Sequence, residues 1–156
     1  MSALLEIQKP LALEPKKLER ERSLAAVGTH CLLELYDCPA QLLNDRSFIK
    51  EALREAARKA KSTLLSEVSH QFVPQGVTAL VLLGESHISI HTWPENGYAA
   101  IDVFTCGEHT EPETACQYLA RQFQAKKQAL LTLPRRRATG AVVVKMEDWA
   151  IVESSE

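Results

Sequence analysis

The chain has 156 residues, of which 46% are hydrophobic and 24% are charged, a balance that suits one compact domain with a buried core. Its formal net charge of −2 offers no broad basic surface for nucleic acid or for an anionic membrane. No stretch approaches the roughly 18 apolar residues of a spanning helix, so we expect a cytoplasmic location with no nucleic-acid partner and no membrane partner.

The N-terminal segment is unlike the rest of the chain. Residues 1–27 contain two prolines and the charged run from Glu14 to Arg22. The basic residues of this run follow the short apolar segment Leu11–Leu13 instead of preceding it, which is unlike a secretory signal. We therefore expect residues 1–27 to form a flexible arm and residues 28–156 to form a single domain.

The first half of the domain alternates between strand and helix patterns. Residues 29–36 predict a strand, and Asp45 suits the N-cap of a helix that follows it. Five apolar residues at helical spacing would form the buried face of that helix: Ile49, Leu53, Ala56, Ala57 and Ala60. Residues 62–72 predict a second strand, which the turn residues 74–76 end.

The middle of the domain predicts one buried strand, followed by two strands that form a hairpin. Residues 77–83 are almost continuously apolar, a pattern typical of a strand buried on both faces. Residues 87–93 alternate between polar and apolar side chains, as in a strand with one buried face. Residues 94–97 are a turn signal, and residues 98–106 predict the returning strand.

The last part of the domain predicts a second helix and further strands. Thr110 and Glu113 have the spacing of a capping box, and Pro112 suits the first helical turn. Four apolar residues would form the buried face of this helix: Cys116, Leu119, Ala120 and Phe123. Strands are predicted at 126–133 and 141–152. This order predicts an α+β fold, a two-layer α/β sandwich with a mainly antiparallel sheet and helices on one face.

The hairpin brings a cysteine close to an acid–serine pair. If Trp93 pairs with Tyr98 across the turn, Glu85 lies opposite Cys106, with Cβ atoms about 4.5–5.5 Å apart. The thiol would then lie beside the bond from Glu85 to Ser86. A bulge or a slip of one residue would turn the thiol to the other face, so the register alone leaves this placement open.

Other chemistries fit these residues poorly. His87 and His91 would lie about 13 Å apart on a strand, too far to share a metal ion, and the four cysteines show no repeated spacing for zinc or for disulfides. Ser86 lacks the Gly-x-Ser-x-Gly turn of a serine hydrolase. A nucleophilic pair of Cys106 and His91 stays an alternative, although no oxyanion site can be named for it. We expect no metal, and reduced thiols that are mostly buried.

One long block of sequence carries a family resemblance. From Glu85 to Gly107 it reads ESHISIHTWPENGYAAIDVFTCG, and an earlier segment from Gly28 to Cys38 reads GTHCLLELYDC. These segments resemble the prokaryotic S-adenosylmethionine decarboxylase proenzymes, which are pyruvoyl-dependent and cleave themselves. The resemblance covers about residues 28–140 and is strongest over residues 72–107.

The resemblance implies a self-processing enzyme. The chain would cut itself between Glu85 and Ser86 into a β chain, residues 1–85, and an α chain, residues 86–156. Ser86 would attack the carbonyl of Glu85 and, after elimination, become a pyruvoyl group. That cofactor would form a Schiff base with S-adenosylmethionine and accept electrons as CO₂ leaves. The product would be the aminopropyl donor for spermidine synthesis.

The resemblance also assigns roles to single residues. His91 matches the histidine that takes a proton from the serine carbon during processing, and Cys106 matches the thiol that reprotonates the substrate. Phe72 matches the aromatic side chain that stacks on adenine, and Glu95 matches the carboxylate that binds the ribose hydroxyls. Two further residues are expected to line the substrate pocket: Trp93 and Glu34.

Two positions depart from the family's pattern. Thr78 stands where the family usually has a serine that supports processing, and the stiff χ1 angle of threonine predicts a slower cut. Gly84 stands where serine is common, and glycine permits unusual backbone angles at the cleavage turn. Both departures therefore concern processing rather than the decarboxylation that follows.

The resemblance implies an (αβ)₂ homodimer of processed protomers with active sites near the interface. Two alternatives stay open. A paralogue would decarboxylate a basic amino acid such as ornithine or arginine, although Phe72 and Glu95 favour a nucleoside. A non-catalytic homologue would stay uncleaved and act as a partner subunit, although Ser86, His91 and Cys106 argue against it.

Overall fold

The computed structural model describes residues 26–136 and the backbone of residues 151–153. The predictions for the N-terminal arm and for most of a strand over 141–152 therefore lie outside the described residues. The strands are β1 (Ala26–Tyr36), β2 (Leu64–Gln71), β3 (Val77–Leu83), β4 (Ser86–Trp93), β5 (Tyr98–Cys106), β6 (Lys127–Arg136) and β7 (Ile151–Glu153). The helices are α1 (Ala40–Leu43), α2 (Arg46–Lys59) and α3 (Pro112–Gln122), with a 3₁₀ turn at Pro94–Asn96. None of these helices is long and apolar enough to cross a membrane.

The strands form one sheet in the order β2-β3-β4-β5-β1-β6-β7. Every neighbouring pair in this sheet is antiparallel. The helices α2 and α3 pack against each other and against the sheet. The predicted α+β sandwich, with its mainly antiparallel sheet, is confirmed by this arrangement.

The hydrophobic core lies between the sheet and the two long helices. Alternate residues of the central strands face the helices and are fully buried, as Ile88 and Ile90 of β4 illustrate. The side chain of Asp45 accepts a 2.9 Å hydrogen bond from the amide of Phe48, so its predicted role as N-cap of α2 is confirmed. This layer fixes β4 and β5, which carry most of the candidate residues.

The opposite face of the sheet is less covered, and we call it the open face. The prediction that β3 is buried on both faces is wrong, because Val81 is buried whereas Leu82 is 47% exposed. Within residues 26–136 the long helices pack on one face, so the other side of β3 has no helical layer over it. Four side chains of β4 project from the open face: His87, Ser89, His91 and Trp93.

The start of α3 differs from the sequence prediction. Thr110 shares a 2.9 Å hydrogen bond with Thr105, while Glu113 accepts a 3.0 Å hydrogen bond from Thr132. The helix begins at Pro112 with no side-chain cap, so the predicted capping box of Thr110 and Glu113 is wrong. Each of these two side chains finds a partner on a strand, which ties the helix end to the sheet instead of closing its first turn.

Candidate active site

The turn between β3 and β4 lies beside the end of β5. Trp93 pairs with Tyr98, as the sequence predicts. The amide of Cys106 donates a 2.9 Å hydrogen bond to the carbonyl oxygen of Glu85. The predicted register of the hairpin is therefore confirmed, and the bond from Glu85 to Ser86 lies next to residue 106. We call this group of three residues, Glu85 and Ser86 together with Cys106 at the end of β5, the Glu85–Ser86 turn.

The backbone of this turn is strained at the serine. Ser86 has a φ of 149°, and a residue with a side chain held in such a sparsely populated region costs about 1–3 kcal/mol. Gly84 is not among the glycines with positive φ, so the expectation that Gly84 supplies the unusual backbone angle is wrong. Because the strain falls on Ser86, a reaction that breaks the peptide bond before this residue also releases the strain.

The carboxylate of Glu85 is held at both oxygens. The amide of Thr63 donates a 2.8 Å hydrogen bond to Oε2, and the Thr63 hydroxyl donates one of 3.2 Å to Oε1. The Nε2 atom of His109 lies 3.6 Å from Oε1. The hydrogen bond from the Thr63 amide is the main cause that holds the pKa of the Glu85 carboxyl below its usual value. The residue on the N-terminal side of the strained bond is thus fixed through its side chain.

The thiol of Cys106 is half-exposed, and a glycine leaves space for it. Gly28 of β1 pairs with Cys106 of β5. A Cβ atom at position 28 would lie 2.7 Å from the carbonyl oxygen of Thr105 and 3.0 Å from the sulfur of Cys106. Atoms packed at these distances would have to move, so glycine is required there. The other three cysteines are buried, as the sequence predicts.

A cleft of about 400 Å³ lies at the other end of β4, within the size range of small-molecule sites. Five of the candidate residues line it: Phe72, Thr78, His91, Trp93 and Glu95. Phe72 is 48% exposed, so a ring face is available for stacking on a ligand. The structure therefore brings these residues, which are spread over 24 positions of the sequence, into one cleft. We call it the Phe72 cleft.

Two side-chain hydrogen bonds organise the Phe72 cleft. The Thr78 hydroxyl lies 2.9 Å from Nδ1 of His91, so the threonine aims its oxygen at the imidazole despite its stiff χ1 angle. The side-chain amide of Gln75 donates a 3.2 Å hydrogen bond to Oε2 of Glu95, and Glu95 is an exposed residue in the lining of the cleft. Both polar groups are oriented before any ligand arrives.

The Glu85–Ser86 turn and the Phe72 cleft lie at opposite ends of β4. Ser86 and His91 are five positions apart on this strand, which corresponds to about 16 Å between their Cα atoms. Within one chain the structure therefore brings Glu85, Ser86 and Cys106 together, and it brings His91 together with Thr78. It does not bring His91 to Ser86.

Comparisons with known proteins agree on one family. Residues 29–136 match the family model described as S-adenosylmethionine decarboxylase. The chain belongs to the S-adenosylmethionine decarboxylase family. It is 54% identical over 121 residues to the S-adenosylmethionine decarboxylase proenzyme of Synechococcus sp. (strain WH7803), covering 78% of this chain and 93% of the relative. It is 46% identical over 110 residues to the proenzyme of Thermodesulfovibrio yellowstonii, covering 70% of this chain and 82% of the relative.

A solved structure supports the same family. The crystal structure of the adenosylmethionine decarboxylase from Aquifex aeolicus matches with a TM-score of 0.68 and 36% identity, covering 76% of this chain and 98% of that chain. Membership of the S-adenosylmethionine decarboxylase family makes the chain an enzyme that depends on a pyruvoyl group. Ser86 fits as the source of that group, because it is strained and follows a carbonyl that already accepts a hydrogen bond. Within residues 26–136 no group of three or more metal-ligating side chains is placed to hold a metal ion.

Sequence reasoning missed four residues that contact the candidate site residues. His87 lies against the Ser86 hydroxyl, and the resemblance gave no reason to assign it a role. Thr63 and His109 contact Glu85 from distant positions, and Gln75 contacts Glu95. Only His87 had a signal in the sequence, since it is the neighbour of Ser86. The other contacts depend on how loops meet in three dimensions.

Glu34 does not join the Phe72 cleft. Its carboxylate accepts a hydrogen bond from the hydroxyl of Tyr98. Burial is the main cause that raises the pKa of Tyr98, and the Glu34 carboxylate raises this pKa further. The ring of Tyr98 stacks on that of Trp93 with centroids 5.1 Å apart, so Glu34 is linked to the Phe72 cleft only indirectly, through the ring that packs on Trp93.

Proposed function

We propose that this chain cleaves itself between Glu85 and Ser86, forms a pyruvoyl group from Ser86 and decarboxylates S-adenosylmethionine to the aminopropyl donor for spermidine synthesis. The domain of residues 28–156 would then be cut, giving a β chain of residues 1–85, with residues 1–27 as an appended arm, and an α chain of residues 86–156. The observation that carries the proposal is a strained serine beside a carbonyl that accepts an amide hydrogen bond. We propose a cytoplasmic location, where reducing conditions keep the thiol of Cys106 free.

The Glu85–Ser86 turn supports an intramolecular acyl shift. The hydroxyl oxygen of Ser86 adds to the carbonyl carbon of Glu85, and the amide of Cys106 stabilises the oxyanion because it already donates to this oxygen at 2.9 Å. The C–N bond then breaks, which turns the amide into an ester. Loss of the α-proton of Ser86 and cleavage of its Cβ–Oγ bond release Glu85 as a carboxylate. Water then hydrolyses the dehydroalanine end to the pyruvoyl group and ammonia.

The Phe72 cleft supports a nucleoside substrate. The exposed ring of Phe72 is available to stack on adenine, and the exposed carboxylate of Glu95 lines the same cleft, where it can accept hydrogen bonds from the ribose hydroxyls. Trp93 offers an aromatic face to the cationic sulfonium. A basic amino acid has neither an adenine nor a ribose, so it would leave Phe72 and Glu95 without partners. These features favour S-adenosylmethionine over ornithine or arginine.

The decarboxylation itself uses residues of the Glu85–Ser86 turn. The pyruvoyl group supplies an electron sink for the electron pair left when CO₂ departs. Cys106 lies opposite this position and is half-exposed, so its thiol can return a proton to the α-carbon of the substrate. The glycine at position 28 supports this role by leaving the thiol its space.

Two copies of the chain are needed to complete the site. The turn and the cleft are separated by about 16 Å within one chain, too far for His91 to take a proton from Ser86. A two-fold axis over the open face would place the cleft of one protomer against the turn of its partner. Exposed apolar side chains on this face, such as Val68 at 66% and Leu82 at 47%, favour such a contact. We therefore propose an (αβ)₂ homodimer in which His91 acts on the turn of the partner.

A denaturing intact-mass measurement of the purified chain tests the proposal. Two products that break between Glu85 and Ser86, with the second blocked by a pyruvoyl group, are the expected result. Ser86→Ala is the matched control and should stay whole, because alanine has no oxygen to attack Glu85. A single wild-type chain that persists on long incubation would favour the uncleaved, non-catalytic homologue.

Equilibrium binding tests the substrate separately. The processed enzyme should bind a non-reactive S-adenosylmethionine analogue, and Phe72→Ala should weaken that binding by about 5-fold to 160-fold, as expected for the loss of one base–aromatic stack. Ornithine and arginine at the same concentrations should not compete. Competition by either amino acid, together with no binding of the analogue, would favour the basic amino acid as substrate.

A further inference from the structure

His87 contacts the atom that starts the processing reaction. Its Nδ1 atom lies 3.3 Å from the hydroxyl oxygen of Ser86. Within residues 26–136 this is the hydroxyl's only side-chain hydrogen-bond partner. The other histidines near the turn or on β4 face elsewhere: His109 lies 3.6 Å from the Glu85 carboxylate, and His91 hydrogen-bonds to Thr78.

The strained backbone makes this contact between neighbours available. In a regular strand, successive side chains point to opposite faces. The φ of 149° at Ser86 interrupts that alternation, and the hydroxyl meets the ring of the next residue. The ring of His87 also lies edge-on to Phe104, with centroids 6.1 Å apart, and this packing helps to hold the imidazole at the turn.

We propose that His87 is the general base of the first processing step, the acyl shift from nitrogen to oxygen. This inference rests on the proposed self-cleavage. The proton of the Ser86 hydroxyl moves to Nδ1 of His87 as the bond from Oγ to the carbonyl carbon of Glu85 forms. The carbonyl electron pair moves onto its oxygen, which the Cys106 amide stabilises. When the carbonyl re-forms, the C–N bond breaks and the imidazolium gives its proton to the leaving nitrogen, so the ester is an isomer of the amide.

The geometry suits an imidazole base. With its proton on Nε2, a neutral imidazole presents the lone pair of Nδ1 as an acceptor. The 3.3 Å contact slightly exceeds the roughly 2.6–3.2 Å of a formed catalytic hydrogen bond, and such contacts shorten as the reaction begins. A positioned general base contributes about 10²–10⁴-fold to a rate. Loss of His87 should therefore be visible as a slow first step.

Processing must remove two different protons, and the chain has a histidine for each. His87 lies at the Ser86 hydroxyl, whereas His91 is proposed to take the α-proton of Ser86 across the dimer interface after the shift. Variants of the two histidines should therefore stop at different chemical stages. The His87 variant should keep the amide between Glu85 and Ser86, and the His91 variant should accumulate the ester.

The first arm of the test measures the rate of cutting by denaturing intact mass. His87→Ala and His87→Asn should both cut about 100-fold more slowly than wild type or slower. Asparagine keeps a polar side chain that can hydrogen-bond but cannot take the proton, so it separates a base from a structural role. Ser89→Ala, the next position on the same face of β4, is the matched control and should cut at the wild-type rate. Thermal unfolding of each uncut variant checks that the domain has folded.

The second arm identifies the stage with neutral hydroxylamine, which cleaves esters and leaves peptide amides intact. The His87 variants should resist it, whereas His91→Ala should be cut between residues 85 and 86. Wild-type cutting by His87→Asn, or a hydroxylamine-sensitive ester in either His87 variant, would overturn the role of His87 while leaving the proposed function in place. A wild-type chain that never cuts would refute the self-cleavage and, with it, this inference.

Discussion

The backbone amide of Cys106 donates a 2.9 Å hydrogen bond to the carbonyl oxygen of Glu85. In the proposed reaction, Cys106 would therefore serve two stages through two different groups. Its amide would polarise the carbonyl that Ser86 attacks, and its thiol would return a proton to the substrate in the finished enzyme. The two stages can be separated because a side-chain substitution leaves the amide in place.

Cys106→Ser should cut itself at close to the wild-type rate but decarboxylate poorly. Serine keeps the amide hydrogen bond, while its hydroxyl is a far weaker acid than a thiol. We expect kcat to fall by about 10²-fold or more, as for the loss of a general acid. Intact mass measures the cut, and release of CO₂ measures turnover. Full turnover of a processed Cys106→Ser enzyme would remove the proton-donor role.

Gly28→Ala should displace the end of β5. The new Cβ atom would lie 2.7 Å from the carbonyl oxygen of Thr105 and 3.0 Å from the sulfur of Cys106, and the first of these is backbone that cannot rotate away. We expect both processing and turnover to slow, together with a lower melting temperature. Ala26→Gly at the exposed start of the same strand is the control and should leave processing and turnover unchanged. Unchanged processing in Gly28→Ala would show that β1 shifts freely at this point.

The sequence predicted the hairpin register correctly because both strands run without a bulge from the Trp93–Tyr98 pair to the Glu85–Ser86 turn. Once those two residues pair, period-two geometry fixes Glu85 opposite Cys106. Side-chain periodicity likewise predicted the buried stripes of both helices. These features depend on the spacing of residues within short segments, which can be read from a single sequence.

Features that depend on contacts between distant segments were not predictable in this way. Nothing in the spacing of Thr63 indicates that its amide would hold Glu85. The predicted capping box does not form, because Thr110 hydrogen-bonds to Thr105 and Glu113 hydrogen-bonds to Thr132 instead. Unusual backbone angles at the cleavage turn were expected at Gly84, because glycine adopts such angles most readily, whereas the structure places the positive φ at Ser86. The separation of about 16 Å between Ser86 and His91 is a consequence of strand geometry, but the sequence analysis did not use it, because the open face that a second copy could contact is visible only in the fold.

Gln75→Ala should weaken substrate binding without changing the chemical step. Gln75 donates a 3.2 Å hydrogen bond to Glu95, so alanine would free the carboxylate to rotate. Loss of one such hydrogen bond costs about 0.5–1.5 kcal/mol, or roughly 2-fold to 13-fold in KM. Steady-state kinetics on the processed enzyme should show a higher KM and an unchanged kcat. Glu95→Gln should raise KM further, and a fall in kcat alone for Gln75→Ala would contradict this assignment.

Glu85→Gln should remove a pH-dependent part of the precursor's stability. The pKa of Glu85 is lowered in the folded chain, chiefly by the Thr63 amide, so its ionised form stabilises the fold at pH values above the usual carboxyl value of 4.5. That stabilisation is lost as the pH falls below 4.5 and through the folded pKa. In a Ser86→Ala background, which prevents cutting, we expect the glutamine chain to melt at a lower temperature at pH 7. The difference should disappear at low pH, and a difference that stays constant with pH would contradict the role of the charge.

Mixed dimers test whether His91 acts across the interface. His91→Ala and Ser86→Ala chains, each uncut alone, are co-expressed with different tags, so that some dimers pair one of each. In such a dimer the His91→Ala chain retains Ser86 and faces an intact His91 from its partner. We expect the His91→Ala chain to be cut in the purified heterodimer, because the separation of about 16 Å between Ser86 and His91 in one chain prevents action within the protomer. Intact mass of the doubly purified heterodimer gives the answer, and a heterodimer that stays whole would place the action of His91 within its own chain.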